Sequence, residues 1–425
     1  MTAHPALRLM LTLSLALGLA LPLGAQQADL PFTAADIEAA QYNGGALPSG
    51  RTALTAKVQL LLDRSGTSPG VIDGFKGGMS QSALKAFERR NGLPQDGIMD
   101  PHVWNLLQAY ATRPVTQSYT ITQADAEGLV DSIPVDYAEK AQMTAMAHTS
   151  VAERLGERFH MDERFIQFLN PGIELVPGAT IQVMAPNQPI RGQVARILID
   201  KDNRRVAGYD ANGRMLVDYP ATIGSSATPS PVGTHDVRTV AVNPNYTYNP
   251  AVNFQQGDND RKLIIPPGPN GPVGTVWIGL SKPTYGIHGT PTPSQLFQNQ
   301  SMGCVRLTNW DAEELAGMVR IGGTTVEFLD SGVTIADATG SGTATSAPVA
   351  AIALPAEDEA QVDTPVPAQP LTLPDPLAPN PLAPNPLATS EPLPEAPQPA
   401  ADPLADALGE ALPDGFVVPL PADPS

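Results

Sequence analysis

From residue 52 to 110 apolar positions recur at intervals of three and four. Val58, Leu61 and Leu62 share one side of a helix, Ala83, Leu84 and Phe87 one side of a second, and Trp104 and Leu107 one side of a third. The turns "SPGVIDG" and "NGLPQDG" separate them, with Asp-Gly pairs at 73–74 and 96–97 suited to tight turns of positive φ. The pattern predicts a small all-α three-helix module. Upstream, "TAADIEAAQ" predicts a short helix capped by Thr33. Residues 119–187 carry a weaker pattern, two helices in "TSVAERLGERFHMDERFIQFLNPG" and a short strand after "VPGATI", which predicts a small α+β module. His148 and His160 read as ordinary helix residues there, without the spacing of metal ligands.

Between residues 193 and 330 the period falls to two. "VARILIDKDNRRVAGYD" predicts a β-hairpin about an Asp-Asn turn, and further strands follow in "RMLVDYPATIG", "GTHDVRTVAV", "TVWIGLS" and "TTVEFLD". Only "NWDAEELAGMVR" reads as a helix, with Asn309 or Asp311 placed to cap it. Strands at such short intervals predict a β-rich, sandwich-like domain. The stretch 243–272, rich in Gly, Pro and Asn, reads as a lid or wall over a site, or as a plain surface loop.

The two ends differ from the middle. Arg8 is followed by the uncharged run "LMLTLSLALGLALPLGA", which ends in small residues near Ala25, the pattern of a secretory signal over residues 1–25. A membrane-spanning helix is the weaker reading, because the run is short and contains Pro22. Export to the periplasm or cell wall is the expected location. Residues 331–425 hold 13 Asp and Glu and no Lys or Arg, so most of the net charge of -18 sits there, along with 20 of the 45 prolines. That composition predicts a disordered, acidic tail rich in Pro and Ala. Leu404, Leu408 and Leu412 fall at helical spacing within it, which could dock on an envelope-protein partner or be incidental. The remaining chain is only mildly acidic, which argues against nucleic-acid binding.

The helical block contains Gln59, Leu62, "GVIDG", Ala83, Phe87, "NGLPQDG" and Trp104, and over its whole length it resembles the peptidoglycan-binding type 1 domain. The resemblance implies non-catalytic binding of cell-wall glycan or stem peptide; a helical spacer is the alternative. The half "LNPG…PGATIQV" of the next block resembles a LysM domain, although the preceding "YTITQADAEGLVDSIPVDYAEKAQ" is longer than that family's pattern.

Cys304 is the one cysteine in the chain. An exported protein usually pairs its cysteines, so an unpaired thiol leaves an intermolecular disulfide, an inert buried thiol or a nucleophile. A thiol attacks well when a neighbour takes its proton, and His288 in "KPTYGIHGTPTP" is the candidate base. Gly303 frees the backbone before Cys304 to aim N–H groups at an oxyanion, Ser301 can hydrogen-bond within that turn, and Arg306 can fork onto a substrate carboxylate or a nearby Asp. "HGT" followed by "SMGCVRL", with "TPSPVGTHDV" upstream, resembles the catalytic motif of YkuD-type L,D-transpeptidases across nearly all of residues 193–330.

That resemblance implies that Cys304 is the acylated nucleophile and His288 its base, oriented by a backbone carbonyl at Gly289, with Ser301, Gly303, Arg306 and Tyr285 in support. Met302 departs from the pattern, since many members carry a second histidine there. The implied reaction releases D-alanine from a tetrapeptide stem and passes the acyl group to an amine of a second stem, a 3-3 cross-link. It needs no metal or organic cofactor, and the partner is peptidoglycan. Water or an envelope-protein lysine as acceptor, and a non-catalytic wall-binding protein, are the alternatives.

Overall fold

The computed structural model describes residues 31–340 except 225–227, 252–254, 299–300 and 302. The proposed signal, Met302 and the tail beyond residue 340 lie outside the described residues.

Four helices come first among the described residues: α1 (Ala34–Ala39), α2 (Ala53–Arg64), α3 (Gly78–Arg90) and α4 (Pro101–Leu107). Thr33 caps α1 with a reciprocal box to Asp36, and Thr52 and Asp100 cap α2 and α4 through their side chains. Gln59 explains why the "GVIDG" turn sits where it does. Its amide donates to Asp73 Oδ1 at 2.8 Å and Ser80 Oγ at 2.9 Å, while Asp73 and Gly74 N–H donate to its oxygen. The next segment is β1 (Thr116–Thr120), α5 (Gln123–Ala126), α6 (Tyr137–Lys140), α7 (Val151–Phe159), α8 (Glu163–Leu169) and β2 (Thr180–Met184), with β1 antiparallel to β2. It begins slightly before residue 119. Its core is continuous with that of the helices: Ile37, Leu61, Phe87, Phe165, Ile181 and Met184 belong to one buried cluster. Neither histidine is an ordinary helix residue. His160 ends α7 in the left-handed region, φ 56°, and its Nδ1 lies 2.9 Å from Asp63; His148 precedes α7 and pairs with Glu157 at 3.3 Å.

The remaining strands are β3 (Arg196–Asp200), β4 (Arg205–Tyr209), β5 (Met215–Pro220), β6 (Gly233–Val242), β7 (Tyr246–Tyr248), β8 (Leu263–Ile265), β9 (Val276–Leu280), β10 (Gly286–His288), β11 (Val305–Arg306) and β12 (Thr325–Phe328). The expected sandwich is instead one curled sheet in the order β11-β10-β9-β6-β12-β3-β4-β5, with β7–β8 a separate ribbon. Ten-residue β6 joins the halves, pairing with β12 through its first part and β9 through its second, with an irregular register at Val237–Thr239. The ends of the sheet meet: Thr222, just past β5, exchanges two backbone hydrogen bonds of 2.9 Å with Arg306 in β11. The sequence pattern marks β3, β4, β5, β6, β9 and β12 but not the two- and three-residue β7, β8, β10 and β11, and hydrogen-bond continuity around a curl leaves no trace in it. Helix α9 (Asn309–Ala316) buries Ala312 and Leu315 against this sheet and is capped by Thr308, not by Asn309 or Asp311. A short α10 (Ile335–Thr339) packs Ile335 beside Leu198 and Ala207, so folded structure extends past residue 330 into what composition assigns to the tail.

Candidate active site

Strand pleating assembles the site. In the parallel pair β10–β11, Ile287 faces Val305 and His288 faces Arg306. Side chains alternate between faces, so Ile287 and Val305 enter the main core while His288, Arg306 and Cys304 share the other face. Trp277 of β9 pairs with His288 and stacks on its ring at 5.6 Å. The sequence thus brings Cys304 and His288 to one face through two very short strands.

The turn before Cys304 is held from several sides. Gly303 has φ +110°, and a Cβ there would lie 2.7 Å from Tyr285 Cε1 and 3.1 Å from the Pro229 carbonyl. Ser301 Oγ donates to the Cys304 carbonyl and accepts the Gly303 N–H at 3.2 Å. That N–H is therefore engaged within the turn. Thr228 Oγ1 donates to the Ser301 carbonyl at 2.9 Å and Ser230 Oγ to the Gly303 carbonyl at 2.8 Å, which gives the "TPSPVG" stretch a physical role in shaping the turn. Sequence reasoning noticed that stretch without assigning roles to Thr228 or Ser230.

His288 Nδ1–H donates to the Gly289 carbonyl at 2.7 Å. A carbonyl can only accept, so Nδ1 carries the proton and Nε2 presents its lone pair. That Nε2 is buried and has no hydrogen-bond partner among the described residues. The Cys304 thiol donates to the Thr284 carbonyl at 3.7 Å. Burial pulls His288 down to about 3, helped by Arg306, and pushes Cys304 up to about 12, against the Gly286 backbone N–H and Arg306. The resting pair is neutral imidazole and thiol. Arg306 is 4% exposed, and its Nε and Nη2 have no hydrogen-bond acceptor among the described residues. Burial lowers it to about 10, so it stays cationic.

The 243–272 stretch is no plain surface loop. It forms the β7–β8 ribbon and buries Tyr246, Tyr248, Leu263 and Ile265 in the cluster that holds Cys304. Asn309, unremarked as a site residue in the sequence, ties the back of the site together. It accepts Thr275 N–H at 3.3 Å and donates to the Pro269 carbonyl at 3.2 Å and to Glu157 at 2.5 Å. No cluster of three or more metal-ligating side chains occurs among the described residues.

Residues 194–328 match the family model described as "L,D-transpeptidase catalytic domain", and residues 51–107 match the "Putative peptidoglycan binding domain". The region that carries Cys304 and His288 thus matches the L,D-transpeptidase catalytic domain. The chain is 33% identical over 124 residues to the "Putative L,D-transpeptidase YkuD" of Bacillus licheniformis, covering 29% of this chain and 59% of that protein. It is 27% identical over 150 residues to the protein of the same name from Bacillus subtilis, covering 35% and 76%. Among solved structures, an L,D-transpeptidase from Xylanimonas cellulosilytica superposes at a TM-score of 0.31 with 16% identity, covering 68% of this chain and all of that one. The region matching the catalytic-domain model follows the region matching the peptidoglycan-binding model along the chain.

Proposed function

We propose that the protein is an exported cell-wall L,D-transpeptidase that cross-links peptidoglycan stems. The observation that carries this is the His288 tautomer: Nδ1–H is committed to the Gly289 carbonyl, leaving Nε2 without a hydrogen-bond partner among the described residues, on the face that carries Cys304 and Arg306. In the reaction, Nε2 takes the thiol proton as sulfur attacks the carbonyl of the third stem residue. The tetrahedral intermediate collapses, His288 hands that proton to the departing D-alanine amine, and a thioester remains on Cys304. The amine of a second stem then attacks, its proton passing through His288 to the leaving thiolate, which gives the 3-3 cross-link. Arg306, a buried cation whose Nε and Nη2 have no acceptor among the described residues, is suited to a stem carboxylate. The peptidoglycan-binding domain and the LysM-like segment would hold the wall and raise local substrate concentration.

Incubation with tetrapeptide-containing muropeptides, followed by mass spectrometry, tests the proposal. It predicts an acyl adduct on Cys304 and cross-linked dimers, with neither in Cys304→Ala and no turnover in His288→Ala. Absence of both products from the unaltered protein, after access to Cys304 has been demonstrated, would sink it. Tripeptide without dimer would identify water as the acceptor, and attachment to protein would identify lysine.

A further inference from the structure

Residues 131–147, between α5 and α7, leave their own segment and lie over the L,D-transpeptidase site. Tyr137 and Met146 are absent from the core that their neighbours share and belong instead to the cluster of Cys304, Trp277, Tyr246 and Tyr248. Tyr137 meets the rings of Tyr248 at 5.1 Å and Tyr246 at 6.2 Å, edge-on in both cases. Polar contacts latch the arm to the 243–272 stretch. Tyr137 N–H donates to Gln256 at 3.1 Å, Asn259 donates to Asp136 at 2.9 Å, Met146 N–H donates to the Pro267 carbonyl at 2.8 Å, and Asn270 N–H donates to the Met146 carbonyl at 2.9 Å. Gly268 has φ +146°, and any Cβ there would lie 2.2 Å from the Met146 carbonyl oxygen, so the two backbones meet as closely as glycine allows.

Beneath this cover Cys304 is 1% exposed and His288 fully buried. A peptide attached to a wall polymer cannot reach the sulfur while the arm is seated. The base of the arm is pinched shut, because Val130 N–H donates to the His148 carbonyl at 3.0 Å. The excursion is therefore a closed loop that can leave without unthreading the β1–β2 segment. We propose that residues 131–147 are an intramolecular lid, docked on the β7–β8 ribbon, that keeps Cys304 closed until peptide substrate displaces it.

The proposal rests on Cys304 being the reactive thiol, but its test reads access and not cross-linking. Alkylation of Cys304 by iodoacetamide, followed by intact mass, is compared in the unaltered protein, in a variant with 131–147 replaced by Gly-Gly, and in Asp136→Ala/Asn259→Ala, which removes one latch. The shortened variant should react roughly tenfold faster or more, and the latch variant by a smaller factor, with unchanged circular dichroism. The apparent thiol pKa should also fall from about 12 toward the ordinary value of 9.0. If the shortened variant misfolds, the latch variant alone decides. Rates equal to the unaltered protein in folded variants would overturn the lid, as would alkylation of the unaltered protein as fast as in denaturant. A protein with lid-dependent alkylation but no action on muropeptides would remove the transpeptidase reading and leave the lid standing.

Discussion

Gly303 combines two constraints that no other residue type meets together. Its φ of +110° lies where L side chains are strained, and a Cβ would drive into the Tyr285 ring. Gly303→Ala should therefore displace the Cys304 turn at a cost of about 1–3 kcal/mol. Because small displacements of a nucleophile are amplified in rate, acylation by muropeptides should fall roughly a hundredfold while the protein still folds. Acylation rate and melting temperature measured together check this; unchanged acylation would show that the turn tolerates a side chain. That Cys304, His288 and Gly303 come together was legible because the proposed nucleophile, its proposed base and their turns occupy two short contiguous stretches. Tyr137 and Asn309 were not, since each acts through contacts with distant segments, and no local pattern distinguishes a Tyr that covers a site from one that fills a core.

At the scale of elements, β5, the last strand of the sheet order, is where the helical module docks. Asp218 N–H donates to the Gly66 carbonyl at 2.7 Å, and Ser68 N–H donates to the Asp218 carbonyl at 2.9 Å, so the turn after α2 occupies a sheet edge that would otherwise be open. The Asp218 side chain is fully buried between Arg205, whose Nε lies 2.6 Å away, and Arg89 of α3. Asp218→Ala would strand Arg205, itself 2% exposed, without a counter-charge. Removing one partner of such a buried pair costs about 3–5 kcal/mol, and the denaturant midpoint should fall accordingly. A shift below 1 kcal/mol would mean that the two arginines rearrange to water. The alternation of β5 predicts a strand but not its cover, because docking partners along an edge are chosen by backbone groups that every residue has.

Across the whole molecule, the three folded segments converge on a cluster of buried ionisable groups. Asp63 of α2 pairs with His160 at the end of α7, and the His160 ring stacks on Trp310 of α9 at 5.1 Å. Asp311 accepts from Ser68 at 3.0 Å, and Glu314 accepts from Tyr219 at 2.9 Å and from Ile190 N–H. Burial first, then Asp63, raises Asp311 to about 7, and burial likewise raises Glu314. For His160 burial opposes charge, but Asp63, Asp311 and Glu314 outweigh it and raise its value. A raised carboxyl binds a proton in the folded state that the unfolded chain has released, so its contribution is present at low pH and is lost as pH climbs from 3.8 through about 7. A raised histidine has the same sign, its contribution fading as pH rises above the ordinary 6.5. Carboxylates with lowered values, such as Asp125 at about 2, act with the opposite sign, but only under more acidic conditions. His288, lowered to about 3, acts with the opposite sign as pH rises to 6.5, so it partly offsets the decline that Asp311, Glu314 and His160 contribute between pH 5 and 8. Asp311→Asn cannot ionise, so between these pH values its stability should change in the less unfavourable direction relative to the unaltered protein, while Glu88, raised to about 7, and His288 titrate alike in both. Urea unfolding of both proteins at pH 5 and pH 8 measures the difference; parallel slopes would show that Asp311 does not titrate at the junction.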